Sequence, residues 1–350
     1  MPDPQLTRRS VIRGGAALAG SLALGGRFDA GAVPERDRPA LVVLWLNGGP
    51  AGLFNSADSF LAAGAFGVTS RNVRDLGGGL VVDAASLGSL PAIARSHMAS
   101  TGFRHGIVRP HEKARAAVLE AGPRSQLLRL AAAMPEAPIR CAVVNDLGLP
   151  VGLAAAPPSE GGAALERVVD LAPVRQRLSL ACAQEIAAAY GTREDAAGIR
   201  DLDTTFTALE MLIHGGASVL FAQPAYSGRP DRQFDTHEDD GGIAARAVMA
   251  PITPRLSTFL ERVMAFPGRN VVTMLVGEFS RTVPKSDHET GGTATVIGKY
   301  VRTGTTGPQD PSGAPPENAL PPEALWAYAA AALRLRETPF GANPYPQLIA

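Results

Sequence analysis

The chain has 350 residues, enough to bury one large core or two modest ones. Lysine plus arginine and aspartate plus glutamate both number 33, so no net field would draw it to nucleic acid or to an anionic membrane. With 5% aromatic residues, 38 glycines and 29 prolines, the composition excludes a coiled coil or a disordered chain and describes a loop-rich globular protein.

The first element is an address rather than a piece of the fold. Thr7-Arg8-Arg9-Ser10-Val11-Ile12-Arg13 sets an arginine pair ahead of a short apolar stretch, 16–24, diluted with Gly and Ala. Ala30-Gly31-Ala32 then supplies small residues of the kind a signal peptidase reads. The stretch is too short and too weakly apolar to span a bilayer, so residues 1–32 read as a twin-arginine signal. That implies the twin-arginine translocase as a partner during export, a mature chain of 33–350 without a stable membrane span, and a periplasmic or extracellular location. Cys141 and Cys182 allow one disulfide or two separate thiols, and they form no metal pattern.

Residues 40–46, ALVVLWL, form an apolar run ended by Asn47-Gly48-Gly49-Pro50, a buried strand entering a tight turn. Residues 56–66 read as a short helix or irregular loop, 77–82 as a short strand and 91–98 as a helix. Helices are expected at 111–120 and 124–134, and a strand at 139–144. The Gly/Ala/Pro-rich segment 148–162 reads as a long surface loop. Apolar residues at helical spacing mark 165–190 and 194–213. A strand at 218–222 runs into a polar loop, and 243–264 returns to helix, divided by Pro251 and Pro254. Strands at 271–276 and 293–297 flank a loop rich in ionisable groups, and a last helix spans 322–335. Buried strands alternating with helices predict a three-layer α/β sandwich with a mainly parallel central sheet, as a single domain.

Chemistry concentrates in two loops that follow predicted strands. Phe234-Asp235-Thr236-His237-Glu238-Asp239-Asp240 offers carboxylate oxygen and imidazole nitrogen, and Asp287-His288 offers the same pair. Loops at the carboxyl ends of sheet strands are where such folds gather ligands. Asp235, His237, Asp287 and His288 would together make a nitrogen/oxygen site for a divalent metal: zinc, manganese or calcium. The plain alternative is a turn at 235–237, with Asp239 or Asp240 capping the next helix, and an exposed loop at 287–288. Arg281 lies between these elements. It could pair with Glu278 as a clamp or present its guanidinium to a bound oxyanion. His111 reads as a polar residue in the first turn of a helix, His97 and His105 as structural or surface residues, and His214 as a complement to a helix C-terminus.

The leader, the strand into LNGGP, FDTHEDD, VGEFSRT, SDH with its glycine-linked strand, and the closing ANPYPQLIA resemble, in that order, domain-of-unknown-function family 1501. The resemblance covers most of the mature chain. It implies an alkaline-phosphatase/sulfatase-like fold, whose enzymes hold metal ions on Asp and His at strand ends and cleave phosphate or sulfate esters. Carried over by motif, metal ligation falls on Asp235, His237, Asp287 and His288, and anion contact on Arg281 with Glu278 beside it. It also allows a site histidine near His111. The sequence departs from the pattern after the first strand. Asn47 stands where the superfamily places a metal-binding Asp, Ala51 where the family has Ser, and Phe54 and Asn55 where it has Asp-Thr. Ser56 is the candidate nucleophile by position. The resemblance therefore implies an exported metal-dependent ester hydrolase acting on an anionic ester. The departure implies the alternative, a non-enzymatic relative that binds a ligand, glycan or partner protein.

Overall fold

A computed structural model describes residues 37–50, 52–121, 124–144, 165–193, 195–224, 234–316 and 318–350. The expected signal, 1–32, and the expected loop at 148–162 lie outside these residues. Within them the chain builds an eight-stranded sheet from β1 (Arg38–Trp45), β2 (Met98–Arg104), β3 (Ile139–Val144), β4 (Leu165–Val168), β5 (Ala217–Ala222), β6 (Arg269–Val276), β7 (Gly291–Ile297) and β8 (Gly304–Thr305). The spatial order is β8-β2-β7-β6-β1-β5-β3-β4. β1 lies at the centre, parallel to β6 on one side and β5 on the other. Only β7 runs against the rest, antiparallel to both β6 and β2.

Side chains on a strand point alternately to opposite faces, and the central strand shows both faces covered. Ala40, Val42, Leu44 and Leu46 enter one apolar core, while Leu41, Val43 and Trp45 enter the other. Helices α3 (Leu180–Ala189), α4 (Leu202–His214) and α5 (Ile243–Met264) pack into the first core. Helices α1 (His111–Leu119), α2 (Gln126–Ala133) and α6 (Pro322–Ala332) pack into the second. Each fully buried Val or Leu contributes about 1.5–3 kcal/mol relative to exposure, so these two faces hold the sheet in place. The predicted three-layer sandwich with a mainly parallel sheet is the observed one.

Local chemistry accounts for the helix starts near the site. Asp201 and Thr204 form a reciprocal capping box at α4. The Asp239 carboxylate accepts from Ala244 N and Ala245 N, 3.0 and 2.9 Å away, and caps α5. Pro251 and Pro254 lie inside α5, which continues through both rather than dividing. No helix among the described residues is long and apolar enough to cross a membrane.

Three further expectations are corrected. Residues 165–190 are not one helical stretch: β4 comes first, then a short helix, Leu171–Arg175, and α3. The helix expected at 91–98 shrinks to Ala92–Arg95, and β2 follows at once. The strand containing 293–297 is antiparallel, because it returns from the loop after β6 directly alongside it rather than through a crossover helix. Cys141 is buried and Cys182 half-buried, both as free thiols.

Candidate metal centre

The parallel strands β1, β5 and β6 all end on the same edge of the sheet, and the polar loops gather there. β1 runs into Asn47-Gly48-Gly49, and β6 runs into Gly277-Glu278. Gly48 needs its missing side chain: φ is +96°, and a Cβ would stand 2.3 Å from Asp235 N. That contact lets the turn after β1 press against the Asp235 loop. The 234–242 loop is tied in turn to the 282–287 loop, since Glu238 N donates to Lys285 O at 2.7 Å and Lys285 N donates to the Asp240 carboxylate.

Asp235 Oδ1 is the focus of the assembly. His237 Nε2 lies 2.8 Å from it, His288 Nε2 3.6 Å and His111 Nε2 3.8 Å. Asp287 Oδ1 stands 3.9 Å from His237 Nδ1. Two overlapping groups result, His111–Asp235–His288 and His237–Asp287–His288, whose ligand atoms lie within 4.8 Å of one another in each. Asp235, His237, Asp287 and His288 are thus brought together, and His111 joins them. The sequence signal for His111 was present, because the residue follows Arg109-Pro110 at a helix start, but a first-turn polar residue looks the same in sequence. Among the described residues, His288 has no hydrogen-bond partner at Nδ1 or Nε2, although it is only 9% exposed. Its ring stacks on Phe279 at 4.4 Å with planes 10° apart, so the orientation is set by packing.

Glu278 takes a different position from the one beside Arg281. It is fully buried, and Oε1 accepts from His111 Nδ1 at 2.8 Å and from Gly48 N at 3.0 Å. A carboxylate on one imidazole nitrogen holds the proton there and leaves the other nitrogen's lone pair free. Glu278 therefore turns His111 so that Nε2 faces Asp235. The His105 ring contacts the Glu278 carbonyl at 2.7 Å and supports the same segment.

Arg281 is also fully buried, and its carboxylate partner is Asp235 rather than the expected Glu278. Nε donates to Gly49 O at 3.2 Å, Nη1 to Ser286 O at 3.0 Å, and Nη2 to Phe234 O at 2.9 Å, to Asp235 Oδ1 at 2.8 Å and to Gly48 O. Its donors are spent on three loops and one carboxylate, which leaves no fork to offer a ligand. Arg109 is the exposed guanidinium instead, 3.3 Å from Asp287 Oδ2.

The charges follow from these contacts. Burial opposes the Asp235 carboxylate, yet the Arg281 hydrogen bond and charge, with His111 and His237, hold its pKa below the ordinary value. Burial pulls the Arg281 guanidinium down, with Asp235 opposing. The Asp287 carboxyl is held low by the His288 backbone N–H first, with a contribution from Arg109. Burial, then the charges of Arg281, His111 and His237, push His288 down to about 4. It is a neutral imidazole at pH 7, the form that ligates metals.

The two remaining expected site residues, Asn47 and Ser56, follow β1 in the chain. Asn47 is buried, and its carbonyl accepts from Phe234 N at 2.8 Å. Ser56 is 2% exposed, and its hydroxyl has no hydrogen-bond partner among the described residues. Its neighbour Asn55 is held by Thr293 and Thr295 of β7.

The fold and cluster together define an α/β protein with a histidine/aspartate centre at the carboxyl ends of its parallel strands. No family model matches the chain, and no curated protein does. Among solved structures the chain is similar to a lipoteichoic acid synthase from Listeria monocytogenes, at 11% identity over 91% of this chain and 79% of that one, with a TM-score of 0.42. It is similar to a phosphonate monoester hydrolase from Silicibacter pomeroyi, at 12% identity over 89% and 76%, with a TM-score of 0.38. A phosphonate monoester hydrolase of Agrobacterium radiobacter is similar at 11% identity over 85% and 74%, with a TM-score of 0.33.

Proposed function

We propose that the chain is an exported, metal-dependent hydrolase of phosphate or sulfate esters, with its centre on His111, Asp235, His237, Asp287 and His288. One observation carries the metal. A buried imidazole that makes no hydrogen bond at either nitrogen is costly unless something else takes its lone pair, and His288, with Nε2 3.6 Å from Asp235 Oδ1, lies between two carboxylates and two further histidines. The donors fit such an ion: three imidazoles suit zinc, the two carboxylates are ligands manganese also takes, and calcium takes oxygen ligands. The ligand atoms of each group lie within 4.8 Å of one another, near enough to converge on one ion with small side-chain movements.

When bound, the ion would polarise an ester oxygen and neutralise developing negative charge. The chain's own residues do the rest. Glu278 keeps the His111 proton on Nδ1, and Arg281 keeps Asp235 ionised and locks the loops that carry the ligands. Arg109 stands at the rim as the cation for an anionic ester. The twin-arginine leader supports export in folded form, as suits a chain that acquires its metal before crossing.

A second reading has an observation of its own. Asn47 stands where the resembled superfamily has a carboxylate, and a neutral amide is a poorer ligand for a hard dication, which favours a relative that keeps the metal and binds a glycan, anionic ligand or partner without turnover. Zinc- or manganese-loaded protein assayed on aryl phosphate and aryl sulfate separates the two. Turnover abolished by His288→Ala supports hydrolysis. Metal binding without turnover on either ester supports the binding reading. A calorimetric zinc titration that is the same for wild type and His288→Ala removes the metal centre from both.

A further inference from the structure

Among the described residues, Phe279 is 1% exposed yet belongs to neither apolar core, and the rings it touches are all imidazoles. His288 stacks on its face at 4.4 Å with planes 10° apart. His111 and His105 meet it edge-on at 5.0 and 6.0 Å, with interplanar angles of 77° and 68°. His111 also meets His288 edge-on at 4.5 Å, so Phe279, His111 and His288 close on one another. The backbone holds Phe279 in place. Gly49, at φ +82°, passes so near that a Cβ there would stand 2.6 Å from the Phe279 carbonyl oxygen and 2.9 Å from its Cβ. Ser280 N donates to Gly291 O at 2.6 Å and Glu289 N to Ser280 O at 3.2 Å, which ties the segment to the start of β7. We propose that Phe279 is the positioning residue of the histidine/aspartate centre. Its ring fixes the angles at which His288 and His111 present their nitrogens, and through them it sets metal affinity and coordination geometry. This rests on the reading of the cluster as a metal centre.

The torsion that turns an imidazole about its Cβ–Cγ bond has only a broad intrinsic preference, so its surroundings must set it. For His111 the Glu278 carboxylate does so through Nδ1. His288 makes no hydrogen bond at either nitrogen among the described residues, so ring packing is the constraint on it. Stacked and edge-on arrangements are the ones aromatic rings favour, and both meet at Phe279. Direction matters because zinc takes its ligands tetrahedrally, and a lone pair turned off that axis binds weakly. Phe279 thus does for His288 what Glu278 does for His111. The flat face is what counts, since an aliphatic side chain would fill the same space without fixing the angle of the ring above it.

Calorimetric zinc titration of the full chain tests this with two leucine variants. In Phe279→Leu zinc affinity should fall by about 10- to 100-fold, as for other groups that orient metal ligands. Phe259→Leu, a buried change in α5 within the first core, should lower stability and bind zinc as the wild type does. Cobalt(II) adds a signature that stability alone does not move. The visible absorption of cobalt-loaded Phe279→Leu should shift or lose intensity, while that of Phe259→Leu should match the wild type. Equal zinc affinities and cobalt spectra in wild type and Phe279→Leu overturn the proposal and leave the metal centre standing, and so does an equal loss of affinity in both variants. A wild type that binds no zinc removes the metal centre and this proposal with it. Should Phe279→Leu fail to fold, a crystal structure of the zinc-loaded wild type decides. His288 on the zinc and still flat against Phe279 is expected, and His288 on the zinc with its ring turned off Phe279 overturns the proposal.

Discussion

Arg281 shows how one side chain can hold several loops of a site together. It fastens the turn after β1, the 234–242 loop and the 282–287 loop through carbonyls of each, and it neutralises Asp235. Arg281→Ala would take the guanidinium away from those carbonyls and from Asp235, a loss of about 3–5 kcal/mol for a broken buried pair. Urea unfolding should show the loss in the metal-free protein, and a change below 1 kcal/mol would contradict the clamp. Glu278 acts at one further remove. Glu278→Gln keeps the shape but weakens the hold on the His111 Nδ1 proton, and zinc affinity should drop by about 10- to 100-fold while the fold stays intact. A calorimetric titration of both proteins reads this directly.

At the scale of elements, the site depends on two loops being pressed against one strand end. Gly48 is the point of closest approach, because its φ of +96° and its 2.3 Å spacing to Asp235 N exclude any side chain. Gly48→Ala should cost about 1–3 kcal/mol in backbone strain alone. It should also push Asp235 away from its neighbours, so zinc affinity falls together with stability. A variant that loses stability but binds zinc normally would show that the turn does not position Asp235. β2 acts on the other side, pairing along all of β7 and so fixing where the 282–290 segment returns to the sheet. Its residues, MASTGFR, bury Ser100 and Thr101 as completely as Ala99 and Phe103. A strand of this composition has no apolar run, which is why its sequence did not announce it.

For the whole molecule, acid stability follows from histidines held neutral. His214, the last residue of α4, stacks on Phe266 with ring centroids 4.1 Å apart, and faces Cys182, Glu210, Glu185, Arg262 and Arg269. Burial first, then Arg262, against Glu185 and with a smaller push from Arg269, lowers its pKa from the ordinary value of 6.5. Between the folded and unfolded pKa values the unfolded chain binds more protons, so stability rises with pH in that window. The contribution is complete above about pH 6.5 and is lost as pH falls toward the folded value. Denaturation of wild type and His214→Asn from pH 8 to pH 5 should show a shallower decline in the variant. Parallel declines would mean that His214 is not buried against protonation.

The sequence alone determined the α/β class, the central strands and the candidate ligands in their two loops. Long β-branched and aliphatic runs such as 40–46 and 271–276 can be satisfied only by burial on both faces, and Asp and His beside glycine after such a run are costly to keep without use. The roles of His111, Glu278 and Arg281 were decided only by tertiary structure. His111 stands 124 residues from Asp235 and 167 from Glu278 along the chain, and no local pattern records a partner at that separation. Arg281 and Glu278, three residues apart, read as a pair in sequence. The chain turns them to different sides of the loop, where one meets carbonyls and Asp235 and the other meets an imidazole. Local propensity says which groups are polar, and the packing of distant strand ends decides which of them meet.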